Sequence, residues 1–133
     1  MARLNGFTKK QIIEVYRKMA LSRKLDDKML VMLKQGKSFF HIGASGHEGA
    51  QLAAAGMIKP GEDWSFPYYR DGAYCLGLGM TAREQLLSFL AKAADPNSGG
   101  RQMPQHYGHK DLRIVSQSSP TGTQFLQAVG CAM

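Results

Sequence analysis

An arginine lies between a tyrosine and an aspartate at Tyr69-Arg70-Asp71, where an expected strand gives way to an expected helix. A guanidinium presents a planar fork of donors that matches phosphate oxygens. The start of a helix adds the positive end of its dipole, and the neighbouring tyrosine hydroxyl adds a further donor. The stretch therefore predicts an anion site, with a surface Arg-Asp ion pair as the alternative interpretation.

A second group of polar side chains occupies residues 118–124, which are Ser-Ser-Pro-Thr-Gly-Thr-Gln and carry no charge. Hydroxyl and amide oxygens without a carboxylate suit a weakly hydrated monovalent cation better than a divalent ion, which prefers charged ligands. The stretch therefore predicts a monovalent-cation site at the start of a helix. Simple N-capping by Ser119 is the alternative interpretation.

Two histidine patterns fall short of a zinc site. His47-Glu48 would open a zinc-protease helix, but Gln51 stands where the second histidine is required. His106 and His109 are three residues apart, with no cysteine or carboxylate close by in the sequence to complete a ligand set. We therefore do not expect a zinc enzyme.

Three capping boxes predict where helices begin, because in each a Ser or Thr is followed three positions later by Gln or Glu. The pairs are Thr8 and Gln11, Ser45 and Glu48, and Thr81 and Glu84. The first helix is predicted to end at Gln35 and the third at Ala94. The apolar stripe of the first helix consists of Ile12, Tyr16, Met19, Met29 and Leu33.

The rest of the chain predicts short strands and two further helices. The strands are Trp64–Tyr69 and Leu112–Val115, and a short helix capped by Asp71 is expected to extend to Leu78. Pro120 suits the first turn of a final helix. Because residues 116–133 carry no charge, we expect this helix to belong inside a larger protein. In this chain we expect it to be poorly buried and to cause self-association.

The composition is that of one folded domain, with 44% hydrophobic and 20% charged residues in a chain of 133. Cys75 and Cys131 form no CxxC pair, and both are expected to be buried small residues in a reducing cytoplasm. No apolar run is long enough to cross a bilayer, which excludes an integral membrane protein.

The net charge of +7 belongs to the first 37 residues, which hold ten basic and three acidic side chains. A solvated helix face is the simplest interpretation, followed by an acidic protein partner and then by nucleic acid. A non-catalytic interaction module that docks through this basic helix is therefore one hypothesis. An enzyme built on residues 69–71 and 118–124 is the other.

Four stretches, in their order along the chain, resemble the alpha subunit of the decarboxylating component of thiamine-diphosphate-dependent 2-oxo acid dehydrogenases. They are Gly46–Gln51, Tyr69–Asp71, Gly100–Gly108 and Ser118–Gln124. The resemblance extends from Lys9 to Met133. Residues 101–104, Arg-Gln-Met-Pro, are more similar to the branched-chain enzymes than to the pyruvate enzymes. The enzyme is therefore the preferred hypothesis, with a pyruvate dehydrogenase alpha subunit as its alternative.

The resemblance also implies roles for individual residues. It implies that Tyr69 and Arg70 bind thiamine diphosphate, with Arg70 on the diphosphate, and that Ser119 lies beside this coenzyme. It implies that His41 and His106 line the active-site channel as candidate catalytic residues. The potassium ligands that it implies are Ser118, Pro120 through its carbonyl, Thr123 and Gln124.

The activity implied by the resemblance is decarboxylation of a 2-oxo acid, with reductive transfer of the acyl group to a lipoyl arm in a multienzyme complex. The implied partners are a beta subunit or fused beta part and a lipoyl-bearing dihydrolipoyl acyltransferase, with neither nucleic acid nor a membrane. The Gly-Asp-Gly motif that holds magnesium in that family does not occur in the sequence. We therefore expect an N-terminal fragment, inactive alone, whose magnesium ligands lie beyond Met133.

The fold implied for the complete domain is α/β, a thiamine-diphosphate-binding fold with a parallel sheet. For this chain we expect the truncated N-terminal part of that fold, mostly helical with few short strands. Residues 1–44 are expected to form a basic N-terminal helix region. Residues 45–133 are expected to begin the cofactor-binding domain.

Overall fold

The computed structural model describes residues 6–133 and the backbone of residues 3 and 4. Its elements are β1 (Arg3–Leu4), β2 (Phe7–Thr8), α1 (Lys9–Lys34), α2 (Glu48–Ala55), α3 (Gly72–Leu78), α4 (Ala82–Phe89) and α5 (Thr123–Ala132). The two strands pair antiparallel, with Arg3 opposite Thr8. The described residues are thus mostly helical, as the sequence predicts. None of their helices is both long and apolar enough to cross a membrane.

Helix α1 begins and ends where the sequence predicts. The Thr8 hydroxyl accepts from the Gln11 backbone N–H, and the Gln11 side chain accepts from the Thr8 backbone N–H at 2.9 Å. Gln35 caps the other end, and Gly36 follows with a left-handed φ of 69°. The capping box at Thr81 and α4 is confirmed in the same way.

Only part of the predicted apolar stripe of α1 is packed. In the second half of the helix, Met29 is buried at 1% exposure and Leu33 is half-buried, and Leu25, which is not one of the predicted residues, is also buried. Ile12 and Tyr16, in the first half, are 39% and 69% exposed. The predicted stripe therefore packs only in its second half, because no described element covers the first turns of α1 completely.

The capping box predicted for Ser45 and Glu48 does not form at the start of α2. The Ser45 hydroxyl donates to the Asp26 carboxylate of α1 at 3.1 Å instead of capping α2. Glu48 accepts from the Arg23 guanidinium at 2.7 Å and from the Gly46 backbone N–H at 2.8 Å. Contacts with α1 therefore override the local signal, and they join the start of α2 to the middle of α1.

The stability contributed by Glu48 is expected to decline at low pH. Hydrogen bonding from Arg23 is the main cause that holds the pKa of Glu48 below its ordinary value of 4.5. The contribution is thus fully present above pH 4.5 and is lost as the pH falls through the lower pKa of the folded state. Urea unfolding should show a steep loss of stability in this range, which Glu48→Gln reduces.

Glu14→Gln is the matched control, since Glu14 forms an exposed ion pair with Arg17 at 3.8 Å. Such pairs contribute little to stability. This variant should keep the wild-type pH dependence. Equal pH profiles for Glu48→Gln and the wild type would contradict the role assigned to Glu48.

Neither predicted strand forms continuously. The two segments meet at a single parallel bridge between Ser65 and Ile114. Ser65 donates its N–H to the Arg113 carbonyl and accepts from the Val115 N–H, each at 2.9 Å. The next parallel ladder bond would need an N–H from Pro67, which proline does not have. The pairing therefore ends after one residue, and the α/β class of a complete domain stays a prediction.

Three other predictions about the elements are corrected. Helix α4 ends at Phe89 rather than Ala94, because Ala91 takes a left-handed φ of 49°. Helix α5 begins after Gly122, so Ser119 is not its N-cap and Pro120 is not in its first turn. No residue of α5 is buried. Cys131 is consequently exposed, whereas Cys75 is buried as predicted.

The core lies on both sides of α3. One cluster contains Ala55, Cys75, Leu78, Met80, Tyr107 and Ile114. The other contains Leu25, Met29, Leu76 and Phe89. Between them, Gly77 of α3 packs so closely on α2 that a Cβ atom at this position would overlap the Ala55 side chain. The glycine thus sets the approach of the two helices.

Replacing Gly77 with alanine is expected to destabilise the chain by about 1–3 kcal/mol, because the added methyl group overpacks the contact with Ala55. Urea unfolding measures the loss, and the pair Gly77→Ala with Ala55→Gly should recover part of it. Gly130→Ala in α5 is the matched control, since a Cβ there meets no atom within 4 Å. Equal stabilities for Gly77→Ala and Gly130→Ala would contradict this packing account.

Candidate active site

The turn that carries Arg70 is held by Gln51 of α2. Gln51 Nε2 donates to the Arg70 carbonyl at 2.9 Å and to the Asp71 carboxylate at 3.1 Å. Gln51 Oε1 accepts from the Ala73 N–H at 3.1 Å, in the first turn of α3. The predicted side-chain cap by Asp71 is wrong, because its Oδ2 accepts from the Tyr68 N–H at 2.7 Å. The Gln51 side chain therefore bonds the first turn of α3 in place of the predicted Asp71 cap.

Arg70 is exposed at the end of this turn. Its Nη1 donates to the Gly43 carbonyl at 3.0 Å, and its guanidinium carbon lies 5.6 Å from the centroid of the Tyr69 ring. Among the described residues, no carboxylate forms an ion pair with Arg70. The alternative interpretation, a surface ion pair between Arg70 and Asp71, is thus wrong. The guanidinium N–H groups that do not bond Gly43 can bind an anion.

His106 connects the two polar stretches that the sequence singles out. Its ring centroid lies 5.9 Å from that of Tyr69, and its Nε2 lies 2.6 Å from Ser119 Oγ. His106 Nδ1 lies 3.2 Å from the Pro104 carbonyl, which can only accept. In a neutral ring the proton therefore sits on Nδ1, and Nε2 accepts from the Ser119 hydroxyl. Arg70, Tyr69, His106 and Ser119 form a continuous row.

Tyr68 provides a second connection, which the sequence reasoning missed. Its hydroxyl donates to the Ser119 carbonyl at 2.5 Å and lies 3.1 Å from the Thr121 hydroxyl. The Tyr68 and Tyr69 rings are 3.9 Å apart between centroids. Two adjacent tyrosines before Arg70 are the only signal in the sequence, and they do not reveal a partner 51 positions away.

The four predicted potassium ligands lie within one short segment at the start of α5. Ser118 Oγ lies 3.0 Å from Thr123 Oγ1, and the Thr123 hydroxyl lies 3.0 Å from the Pro120 carbonyl, to which it can donate. Gln124 Oε1 is buried and has no hydrogen-bond partner among the described residues. A buried amide oxygen without a donor is costly, and a cation would satisfy it. The donor set therefore fits a monovalent cation.

His41 lies in a buried environment with its side chain only 2% exposed. Its Nε2 is 3.7 Å from an Asp26 oxygen, and its ring lies 5.9 Å from that of Phe89. Burial lowers the pKa of His41, against a smaller opposing effect of Asp26, so the ring is neutral at pH 7. None of these contacts involves His106 or Ser119. A place for His41 in the channel stays a prediction.

Comparison with known proteins gives the relationship of the chain. Residues 16–133 match the dehydrogenase E1 component family. The chain belongs to this family. It is 48% identical over 128 residues to the 2-oxoisovalerate dehydrogenase subunit alpha of Bacillus subtilis, and the aligned residues make up 96% of the chain and 39% of that protein. The resemblance to branched-chain alpha subunits is thereby confirmed.

Mitochondrial relatives share the same name. The E1 family chain is 32% identical over 127 residues to the 2-oxoisovalerate dehydrogenase subunit alpha of Caenorhabditis elegans, covering 96% of the chain and 29% of the relative. It is 33% identical over 130 residues to that of Homo sapiens, covering 93% and 27%. The chain thus spans under two-fifths of the length of these relatives.

Proposed function

We propose that this chain is the N-terminal part of the alpha subunit, or alpha part of a fusion, of a branched-chain 2-oxo acid dehydrogenase. In this proposal the row Arg70, Tyr69, His106 and Ser119 lines its thiamine diphosphate site. Relatives from three organisms are named 2-oxoisovalerate dehydrogenase subunit alpha, which favours a branched-chain substrate over pyruvate. The position of His106 carries the proposal, because its Nε2 lies 2.6 Å from Ser119 Oγ and its ring centroid lies 5.9 Å from that of Tyr69. It thereby joins residues 69–71 to residues 118–124.

The side chains in this row are suitable for a coenzyme that carries a diphosphate. Arg70 would hold the diphosphate with the donors that Gly43 does not use, and Tyr69 and Ser119 would lie beside it. Thiamine diphosphate, when bound, supplies the carbanion chemistry that removes carbon dioxide from a 2-oxo acid. The chain supplies the binding, the orientation and a partly dry environment.

His106 is the proposed proton-carrying group beside the substrate. Because the Pro104 carbonyl holds the proton of Nδ1, the atom left to exchange a proton with the Ser119 hydroxyl or with a substrate oxygen is Nε2. His106 is 5% exposed, so few water molecules compete at this atom. We propose His106 as a catalytic residue of the assembled enzyme.

We also propose that residues 118–124 bind potassium and thereby order the Ser119 side of the site. Replacing Gln124 with alanine removes one buried ligand oxygen, worth about 1–1.5 kcal/mol. The potassium concentration for half-maximal coenzyme binding by the assembled enzyme should rise about tenfold, since that energy corresponds to about a factor of ten. Coenzyme titrations in potassium and choline salts at constant ionic strength measure the change.

Gln127→Ala is the matched control for Gln124→Ala, because Gln127 is the same residue type one turn later and is exposed. It should leave the potassium requirement unchanged. If coenzyme binding were independent of potassium in the wild type, or if both glutamine variants behaved alike, the cation site would be wrong.

The proposed partners are a beta subunit or fused beta part and a lipoyl-bearing dihydrolipoyl acyltransferase that accepts the acyl group. Helix α5 leaves apolar side chains uncovered in the described part of the chain, with Phe125, Leu126 and Val129 exposed at 69%, 82% and 58%. An apolar surface of this kind suits an interface with further protein. Magnesium ligands are expected outside this sequence, so the isolated chain should be inactive.

The function is tested by assembling the full-length alpha subunit with beta and measuring carbon dioxide release with an artificial electron acceptor. We expect release that requires thiamine diphosphate and is faster with 2-oxoisovalerate than with pyruvate. Calorimetry of the isolated chain with magnesium and coenzyme should show no tight binding. Preference for pyruvate would contradict the branched-chain assignment. Salt-sensitive nucleic-acid binding without decarboxylation would favour the interaction module.

A further inference from the structure

Asp26 is a buried carboxylate in the middle of α1 that has no role in the coenzyme contacts proposed above. It is 6% exposed, and its Oδ2 accepts from the Ala44 backbone N–H at 2.8 Å and from the Ser45 hydroxyl at 3.1 Å. A carboxylate is costly to bury unless its oxygens are satisfied. Here both partners of Oδ2 belong to the loop between α1 and α2, so Asp26 fixes that loop at residues 44 and 45.

The same loop is held from the other side by Gln105. Gln105 Oε1 accepts from the Ile42 backbone N–H, and Gln105 is 2% exposed. Its φ of 66° is a left-handed conformation that is unfavourable for a residue with a side chain. The surrounding structure must therefore impose it. Two buried side chains, each distant in sequence, thus bind the backbone at residues 42 and 44.

Gly43 lies between these two attachment points, and its carbonyl accepts from Arg70 Nη1 at 3.0 Å. We propose that Asp26 is a positioning residue that holds the Gly43 carbonyl and, through it, the Arg70 guanidinium in the orientation that receives the diphosphate. The inference rests on the proposed function. Asp26 touches neither coenzyme nor substrate, and it acts by preorganising the fork of Arg70.

A double-mutant cycle separates this role from a purely structural one. Thiamine diphosphate affinity, with magnesium present, is measured for the assembled alpha–beta enzyme carrying Asp26→Ala, Arg70→Ala or both. We expect Asp26→Ala to raise the dissociation constant about tenfold, the effect of one well-placed hydrogen bond. In the Arg70→Ala background the same change should have an effect below about twofold, because the two residues act together.

Three further variants keep the test decisive. Asp26→Asn retains an oxygen that can accept from the Ala44 N–H and should restore most of the affinity. Gly77→Ala lowers stability at a different contact and should leave the affinity unchanged. Ser45→Ala removes only one of the hydrogen bonds to Asp26. If Asp26→Ala does not fold, Ser45→Ala takes its place in the cycle.

Equal effects of Asp26→Ala in the wild-type and Arg70→Ala backgrounds would overturn the inference, and so would an equal loss of affinity in Gly77→Ala. Failure of the proposed function has a different signature. In that case Arg70→Ala alone would leave the affinity for thiamine diphosphate at the wild-type value, whatever Asp26→Ala does.

Discussion

Arg70→Ala is expected to raise the dissociation constant for thiamine diphosphate about 10- to 100-fold in the assembled alpha–beta enzyme, because charge-assisted hydrogen bonds contribute about 1.5–3 kcal/mol each. Arg70→Lys should give an intermediate value, since an ammonium keeps the charge but loses the planar fork. Titration calorimetry measures both. Affinity for thiamine without its diphosphate should change much less, which ties the loss to the phosphate groups.

Arg83→Ala is the matched control for Arg70, since Arg83 is an exposed arginine of α4 outside the proposed site. It should bind the coenzyme as the wild type does. Arg70 is itself exposed, so its removal should cost little stability, and urea unfolding checks this. If the dissociation constant of Arg70→Ala were within about twofold of the wild-type value, Arg70 would not form charge-assisted hydrogen bonds with the diphosphate.

His106→Ala is expected to lower kcat about 10²- to 10⁴-fold, the range that general acid–base catalysis contributes. The dissociation constant of the coenzyme should change far less, because Arg70 and Tyr69 remain in place. Steady-state decarboxylation of 2-oxoisovalerate and a coenzyme titration on the same preparation separate the two effects. A loss confined to coenzyme affinity would instead make His106 a binding residue.

His109→Gln is the control for His106. His109 lies outside the row, with its Nε2 3.5 Å from a Glu84 oxygen. The variant should retain wild-type kcat. Comparable activity for His106→Ala and His109→Gln would contradict a proton-carrying role for His106.

Helix boundaries could be predicted where the signal is local, and not where a tertiary contact competes. Thr8 and Thr81 cap their helices as the capping-box pattern predicts. Ser45 has the same pattern, but it bonds Asp26, which lies 19 residues earlier in the chain. Whether the two predicted strands pair depends on their register and on the N–H that Pro67 lacks. The pattern of apolar and polar residues within each strand does not show either.

The candidate site was predictable in its parts through resemblance, and less so in its connections. The resemblance implies that Tyr69, Arg70 and Ser119 lie at one coenzyme, and the structure brings them into one row through His106. Gln51, Tyr68 and Asp26 were missed. Each acts through a partner 18 to 51 residues away, so sequence spacing carries no sign of it.

We propose above that the turn at Tyr69-Arg70 and the segment at Ser118–Gln124 line one thiamine diphosphate site. An experimental structure of the assembled alpha–beta enzyme with bound coenzyme tests it most directly. We expect the diphosphate to bind at the Arg70 guanidinium and the Ser119 hydroxyl to contact the same coenzyme molecule. A coenzyme that contacts only one of the two segments, or neither, would contradict it.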